Sequence, residues 1–536
     1  MTYSKIKKIS IHILFSGLYI SLLSLSACKG DGPTNGQEEP PVVEEVLEEM
    51  DNYRPFYHLT TPFGWQSDPT GMFYYDNRFH ISYIHNPDAP NHGGNQHWRK
   101  AASTDLMSWV DQGVILEPDD LGRISSGSAV VDKDNTSGFK SNDNEGDVAV
   151  IMFTSNGGSI QQQSLAYSND KGDTWTKYSG NPVLSLGRTG AFRDPKLMWH
   201  EERQKWIQVV AAGDRIKIYS SDNLIDWDFE SDFGPNVVHA NGVWECPDLF
   251  YIKTEEGEGK WVMIVSHGGG INDGPNGGSS TQYYIGDFDG HSFTPEHQDI
   301  LWLDFGIDNY AGVTWSDVPE EDGRRIHIGW MGNWYYASSI PDNGWRGTMT
   351  FPREVTLQKS SNRYFLAFNP VRELEDQLGS QETYNEAQSS IQLKDNAIIK
   401  TGSYRVKTEL NLSQVSNMSL TLGNKSERLT LYYDKGNEEF TLRRSASGLT
   451  DFNELFGQDI EAGFSVTGET LPLEILVDQT SIEVFINSGE KVMTATFFPR
   501  YNYSNLEIKS SGGSENSGLV QSVQLDEIKK TVNHTY

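Results

Sequence analysis

Three carboxylates are the residues of this chain best placed to do chemistry. They are Asp68 in Trp65-Gln66-Ser67-Asp68-Pro69-Thr70-Gly71, Asp194 in Phe192-Arg193-Asp194-Pro195-Lys196, and Glu245 in Glu245-Cys246-Pro247-Asp248. The proline ring disfavours helix at the residue before it, so an Asp-Pro acid is expected in extended backbone. That suits a carboxylate at a strand end, aimed into a cleft. Two acids facing one bond are the minimal machinery for cleaving a glycoside, one attacking the sugar and one protonating the leaving oxygen. A third, ionised and hydrogen-bonded to sugar hydroxyls, would grip the ring in the transition state. Singly, an Asp-Pro step is an ordinary turn start in a β protein. Three such acids in one chain point to a built site.

The elements that must position them read as all-β. From Tyr53 to about Leu374 a strand-like stretch leads repeatedly into a polar turn and then an aromatic. The instances are Ala102 to Trp109, Tyr167 to Trp175 and Tyr219 to Trp227, with a poorer copy from Ile285 to Phe293. Their aromatic ends are 66, 52 and 66 residues apart, the spacing of four-stranded propeller blades. An Asp in such a turn can bond its own backbone while the aromatic packs on the next sheet. From about Gly379 to Tyr536, runs such as Tyr404 to Leu410 and Leu429 to Tyr433 alternate polar and apolar residues, with Asn437, Gly448 and Gly489 marking turns. This predicts an antiparallel β-sandwich that packs on the propeller.

A length of 536 residues calls for more than one core. The 14 Trp, with 51 Gly against 21 Pro, fit a turn-rich β protein able to stack on sugar rings. A formal charge of −31 repels nucleic acid and anionic lipid, so no nucleic acid partner is expected and a neutral ligand is the default. Lys5, Lys7 and Lys8 precede an apolar run from Ile9 to Leu25 that ends in Leu25-Ser26-Ala27-Cys28. This reads as a lipoprotein signal over residues 1–28, with Cys28 lipidated. Residues 29–50, rich in Pro, Gly and acids, read as a flexible acidic tether. The propeller is assigned to 51–374 and the sandwich to 379–536. The expected location is the bacterial outer membrane, at the cell surface, held by lipid alone and beside glycan-import proteins. Cys246 is the only other cysteine, so no internal disulfide is expected. His85, His92 and His97 fit no zinc spacing, and neither a metal nor a cofactor is expected.

The three acidic blocks, in this order, resemble glycoside hydrolase family 32, the invertases, inulinases and levanases that split fructosides. The resemblance continues in Ser126-Gly127-Ser128-Ala129-Val130-Val131-Asp132, in Gly329-Trp330-Met331-Gly332-Asn333-Trp334, in Trp345 to Glu354 and in Ser481 to Asn487, covering roughly residues 51 to 530. It implies a five-bladed propeller and a retaining double displacement. Asp68 is then the nucleophile, Glu245 the acid/base kept protonated by burial and neighbouring charge, and Asp194 an ionised stabiliser oriented by Arg193. Trp65, Trp98 and Trp334 become ring-stacking candidates, with Ser67 and Ser128 completing the sugar-binding set. Ser67, Thr70 and Ile84 depart from the family pattern where a terminal fructose would be held, which favours an open cleft. The reading that follows is a surface fructan hydrolase, an endo-acting levanase cutting β-2,6 bonds. Exo-acting release of fructose from levan or inulin, transfer to a sugar acceptor, and a non-catalytic glycan-binding lipoprotein stay open.

Overall fold

The computed structural model describes residues 53–532 apart from 144, 235, 239–241, 269–273, 386–389, 413–415, 467 and 512–519. The signal segment, Cys28 and the tether lie outside these residues. Five antiparallel sheets succeed one another from Gly64 to Pro370. Their first strands are Gly64–Tyr75, Arg123–Asp132, Arg193–His200, Val243–Lys253 and Tyr310–Thr314. Each lies against the first strands of the sheets on either side, and the fifth closes on the first. The ring is a five-bladed β-propeller whose first strands line the axis. Closure is reinforced where Gly64 and Trp65 pair in parallel with Trp345 and Arg346, which leave the fifth blade to do so.

Burial explains the strand sequences. Val148–Asn156 is buried almost throughout, and apolar as far as Phe153, because blades cover both its faces. The aromatic repeat falls between the third and fourth strands of the first four blades. Asp105 accepts from Met107 N and Ser108 N, and Asp170 from Thr174 N. In the third and fourth copies the turn is held by Asn223 and Asp289. Each aromatic packs on the preceding blade: Trp175 meets Phe73 edge-on at 6.0 Å, and Phe293 meets Phe233 at 5.2 Å. Trp109 stacks on Trp315 across the closure.

Beyond Pro370 two six-stranded sheets face each other across one apolar core. Strands such as Arg428–Asp434 bury alternate residues, as a sheet covered on one face requires. This β-sandwich is tied to the propeller by buried charge. Asp304 and Asp308, between the fourth and fifth blades, accept from Thr494 N and Thr496 N at 2.9 and 2.8 Å. Arg353 of the propeller bonds Asp304 and Glu483, and Arg444 of the sandwich bonds Asp308. The His58 ring lies 2.8 Å from both Asp478 and Glu483. The seam thereby joins the sandwich to the fourth and fifth blades and to the segment before the first.

Candidate active site

Every axial strand is irregular near its start. Pairing with the second strand jumps between Gln66 and Pro69, Ser125 and Gly127, Arg193 and Lys196, Glu245 and Asp248, and Tyr310 and Val313. At these points an axial strand is paired on one edge only, the parallel pairs of the first strand ending at Trp65, so it can bulge without breaking a second ladder. Pro195 and Pro247 fall inside two of these bulges, where their missing N–H costs no ladder bond. A bulge re-aims its side chain, and five bulges at one level bring one position per blade to the mouth of the axis. Asp194, Cys246 and Ala311 adopt left-handed backbone there, with φ of +62°, +44° and +55°. Asp194 is therefore not extended as expected. Proline excludes right-handed helix before it but leaves this region open, and Asp tolerates it better than most residues.

The side chains converge. Asp68 Oδ2 accepts from the Ser126 hydroxyl at 2.7 Å and lies 3.7 Å from Cys246 Sγ, which is also 3.7 Å from Asp194 Oδ2. Cys246 N donates to Asp194 Oδ2 at 3.1 Å, and Asp194 N donates to Thr154 Oγ1 at 2.9 Å. Arg193 places Nε and Nη2 on Glu245 Oε1 at 3.0 and 2.8 Å, while its Nη1 reaches Gln161 Oε1 at 3.2 Å. The Tyr310 hydroxyl donates to Glu245 Oε2. Asp68, Ser126, Asp194, Glu245 and Tyr310 thus come from five different blades.

The electrostatics follow from three carboxylates facing one guanidinium. Burial pushes the Asp194 carboxyl up to about 7; Arg193 opposes this, and the charges of Glu245 and Asp68 add to it. Burial also raises Asp68, against the Ser126 hydrogen bond, with the Glu245 charge adding. Burial, then the carboxylates around it, raise the Cys246 thiol well above its ordinary value, so it stays a neutral thiol rather than a nucleophile. Tyr310 is raised by burial and by Glu245, so it remains a donor. Arg193 serves both acids: its fork holds Glu245 Oε1, and its Nε also forms an ion pair with Asp194 Oδ2 at 3.8 Å.

The family model for the N-terminal domain of glycosyl hydrolases family 32 matches residues 58–370, and that for the C-terminal domain matches 373–527. The chain belongs to glycosyl hydrolase family 32. It is 39% identical over 489 residues to a levanase of Bacillus subtilis (strain 168), covering 90% of this chain and 71% of that protein. A levanbiose-producing levanase of the same organism is 34% identical over 527 residues, covering 96% of this chain and 97% of its own length. The crystal structure of an exo-inulinase from Aspergillus awamori superposes with a TM-score of 0.81 at 30% identity, over 91% of this chain and 100% of that one. This family 32 chain is a glycoside hydrolase.

Other residues singled out in the sequence of this family 32 hydrolase divide. Ser67 adjoins Asp68 and, being buried beside it, helps to lower its carboxyl against the effect of burial. Trp334, partly exposed, stacks 6.1 Å from buried Trp65 and meets His92 edge-on at 4.5 Å. Trp334 can therefore offer a face to a sugar, while Trp65 props it from behind. Trp98 cannot: it is 0% exposed, wedged between Gly71 and Phe153, with its Nε1 on Ser125 O. Ser128 is also buried, accepting from Leu197 N at 2.9 Å to tie the second blade to the third. Two departures attributed to sugar-holding positions lie elsewhere. Thr70 exchanges hydrogen bonds with Gly127 N and O, and Ile84 belongs to the core between the first two blades. His85 and His97 bond backbone carbonyls, of Trp65 and Asn95. Ser126, Tyr310 and Gln161 were missed. Ser126 stands two residues before Ser128 in a block already noticed; Tyr310 and Gln161 carry no local signal.

Proposed function

We propose that this glycosyl hydrolase cleaves β-fructosidic bonds of fructans with retained configuration, and that it prefers levan, cut internally at β-2,6 bonds. The observation that carries the reading is the convergence of Asp68, Asp194 and Glu245 on one mouth of a family 32 propeller. Asp68 attacks the anomeric carbon as the carbon–oxygen bond breaks, giving a fructosyl ester. Glu245, at 23% exposure against 6% for Asp194, supplies the leaving oxygen with a proton and then takes one from water. In the free protein burial, opposed by Arg193 and helped by the charges of Glu245 and Asp68, brings the Asp194 carboxyl to about 7. Sugar hydroxyls donating to Asp194 would favour its ionised form. The Arg193 fork and the Tyr310 hydroxyl then stabilise Glu245 when it has given the proton away.

Levan is favoured by the two Bacillus subtilis relatives, named levanase and levanbiose-producing levanase. End-on release of fructose is the alternative, favoured by the likeness to an exo-inulinase. Because Thr70 and Ile84 point away from the mouth, the case for an open cleft rests on Ser67 alone among the departures. Product analysis decides: free fructose as the sole early product from levan sinks internal cleavage, and oligosaccharides from inulin but not levan sink the linkage. We further propose attachment through a lipid on Cys28, supported by Leu25-Ser26-Ala27-Cys28. Cys28→Ala should lose labelling by a fatty-acid probe and keep its specific activity; persistent labelling contradicts the assignment.

A further inference from the structure

The axial strands that carry the acids near their starts run, at their other ends, into a second cavity of about 730 Å³, formed by the second to fifth blades. Its lining mixes charges of both signs, with six carboxylates against four Lys and Arg side chains. Lys196 Nζ lies 3.3 Å from Asp248 Oδ1 and donates to Thr314 O. Asp317 Oδ2 accepts from Val131 N at 2.8 Å, and Lys133 stands near enough to feel its charge. The Arg325 guanidinium lies 4.9 Å over the Phe250 ring. An anion here would meet Asp248 and Asp317, and a cation would meet Lys196 and Arg325, so neither is favoured. Hydroxyl groups both donate and accept, and suit such a lining.

Aromatic rings form the rim. Trp199 meets Trp206 edge-on at 5.1 Å, and Trp261 packs against Tyr251 at 5.5 Å and His200 at 5.5 Å. Tyr251 is 43% exposed, one of few large apolar side chains left open to water. Flat ring faces beside mixed donors and acceptors match the apolar faces and hydroxyl edges of sugar rings. The volume falls in the ordinary range of ligand sites, about 300–1,000 Å³. We propose that this cavity is a second saccharide-binding site, holding a stretch of polymer at the end of the axis away from the carboxylates. The choice of fructan as that saccharide rests on the proposed function. Holding one stretch raises the effective concentration of the rest at the acids, which benefits long chains and not short ones.

The test uses the full chain with Asp68→Ala, titrated calorimetrically with levan-derived and inulin-derived oligosaccharides of three to six units. Two molecules should bind per chain, and adding Trp199→Ala and Tyr251→Ala should leave one. In the otherwise unaltered enzyme the same pair should spare kcat/KM on a trisaccharide and lower it on the polymer on the order of 10-fold. Tyr251→Ala alone, at an exposed side chain, should weaken the second site without threatening the fold, so a misfolded double variant leaves the inference testable. A stoichiometry of one in the Asp68→Ala chain, or an equal loss on both substrates, overturns it. Hydrolysis of levan or inulin together with single-site binding sinks the second site alone. Hydrolysis of neither sinks the proposed function, and the fructan assignment with it.

Discussion

Gly268→Ala perturbs the site without touching a carboxylate. Gly268 ends the second strand of the fourth blade, Gly259–Gly268, beside Glu245. A Cβ there would stand 2.6 Å from Tyr310 Oη and 2.8 Å from Glu245 Oε2. Both contacts are several tenths of an ångström too short, so the Tyr310–Glu245 pair must move or part. Arg193 still holds Oε1, so the charge stays compensated and the fold should survive. A misplacement approaching 1 Å costs about 10²-fold in rate, or roughly 2.7 kcal/mol of barrier. On levan, where the leaving alkoxide needs its proton, kcat should fall about 30- to 100-fold. An aryl fructoside, whose leaving group departs with little help, should lose less than about 5-fold in the first step, read as the burst of released phenol. Equal losses on the two substrates would mean that the methyl group disturbs Asp68 or the fold. No loss on levan would mean that placing Glu245 through Tyr310 does not matter.

The acids themselves should separate by the same logic. Asp68→Ala should be inactive on both substrates, whereas Glu245→Ala should lose at least ~10²-fold on levan yet form its fructosyl intermediate from an aryl fructoside, with azide releasing a retained product; the reverse pattern, or inversion by the wild type, refutes the roles. Because burial brings Asp194 to about 7 and raises Asp68, and both must be ionised to hold and attack the sugar, the acid limb of kcat/KM should lie well above an ordinary aspartate. An acid limb near the ordinary aspartate value of about 3.9 would refute this. The seam should show its own pH dependence, since Asp478 and Glu483 raise His58 from 6.5 to about 9 despite its burial. A folded-state value above the unfolded one means stability is fully present below about 6.5 and lost as pH rises through 9, on the order of 3 kcal/mol. His58→Gln should therefore cost most in urea unfolding at pH 6 and little at pH 10; a pH-independent difference would refute it.

Legibility in the sequence followed chain distance. The aromatic repeat announced blades because each copy is a local turn whose polar residue bonds its own backbone and whose ring needs a neighbouring blade. Alternation in Arg428–Asp434 announced a sheet with one dry face for the same local reason. The residue that holds the turn varies all the same: Asn223 and Asp289 hold the third and fourth by accepting from the N–H groups two and three residues on.

The sequence by itself determined which acids stand in this site, since their types and proline neighbours are local and three such blocks seldom meet by chance. It also determined the all-β class. The tertiary structure alone decided what those acids touch. Arg193 immediately precedes Asp194 yet grips Glu245, because the bulge turns the two side chains apart and brings the fourth blade within reach. Ser126 and Tyr310 reach Asp68 and Glu245 across 58 and 65 residues of chain. Trp98, Ser128, Thr70 and Ile84 sit in or beside the same motifs and face the blade interfaces instead. A strand alternates its faces every residue, and only the closed ring fixes which face looks down the axis.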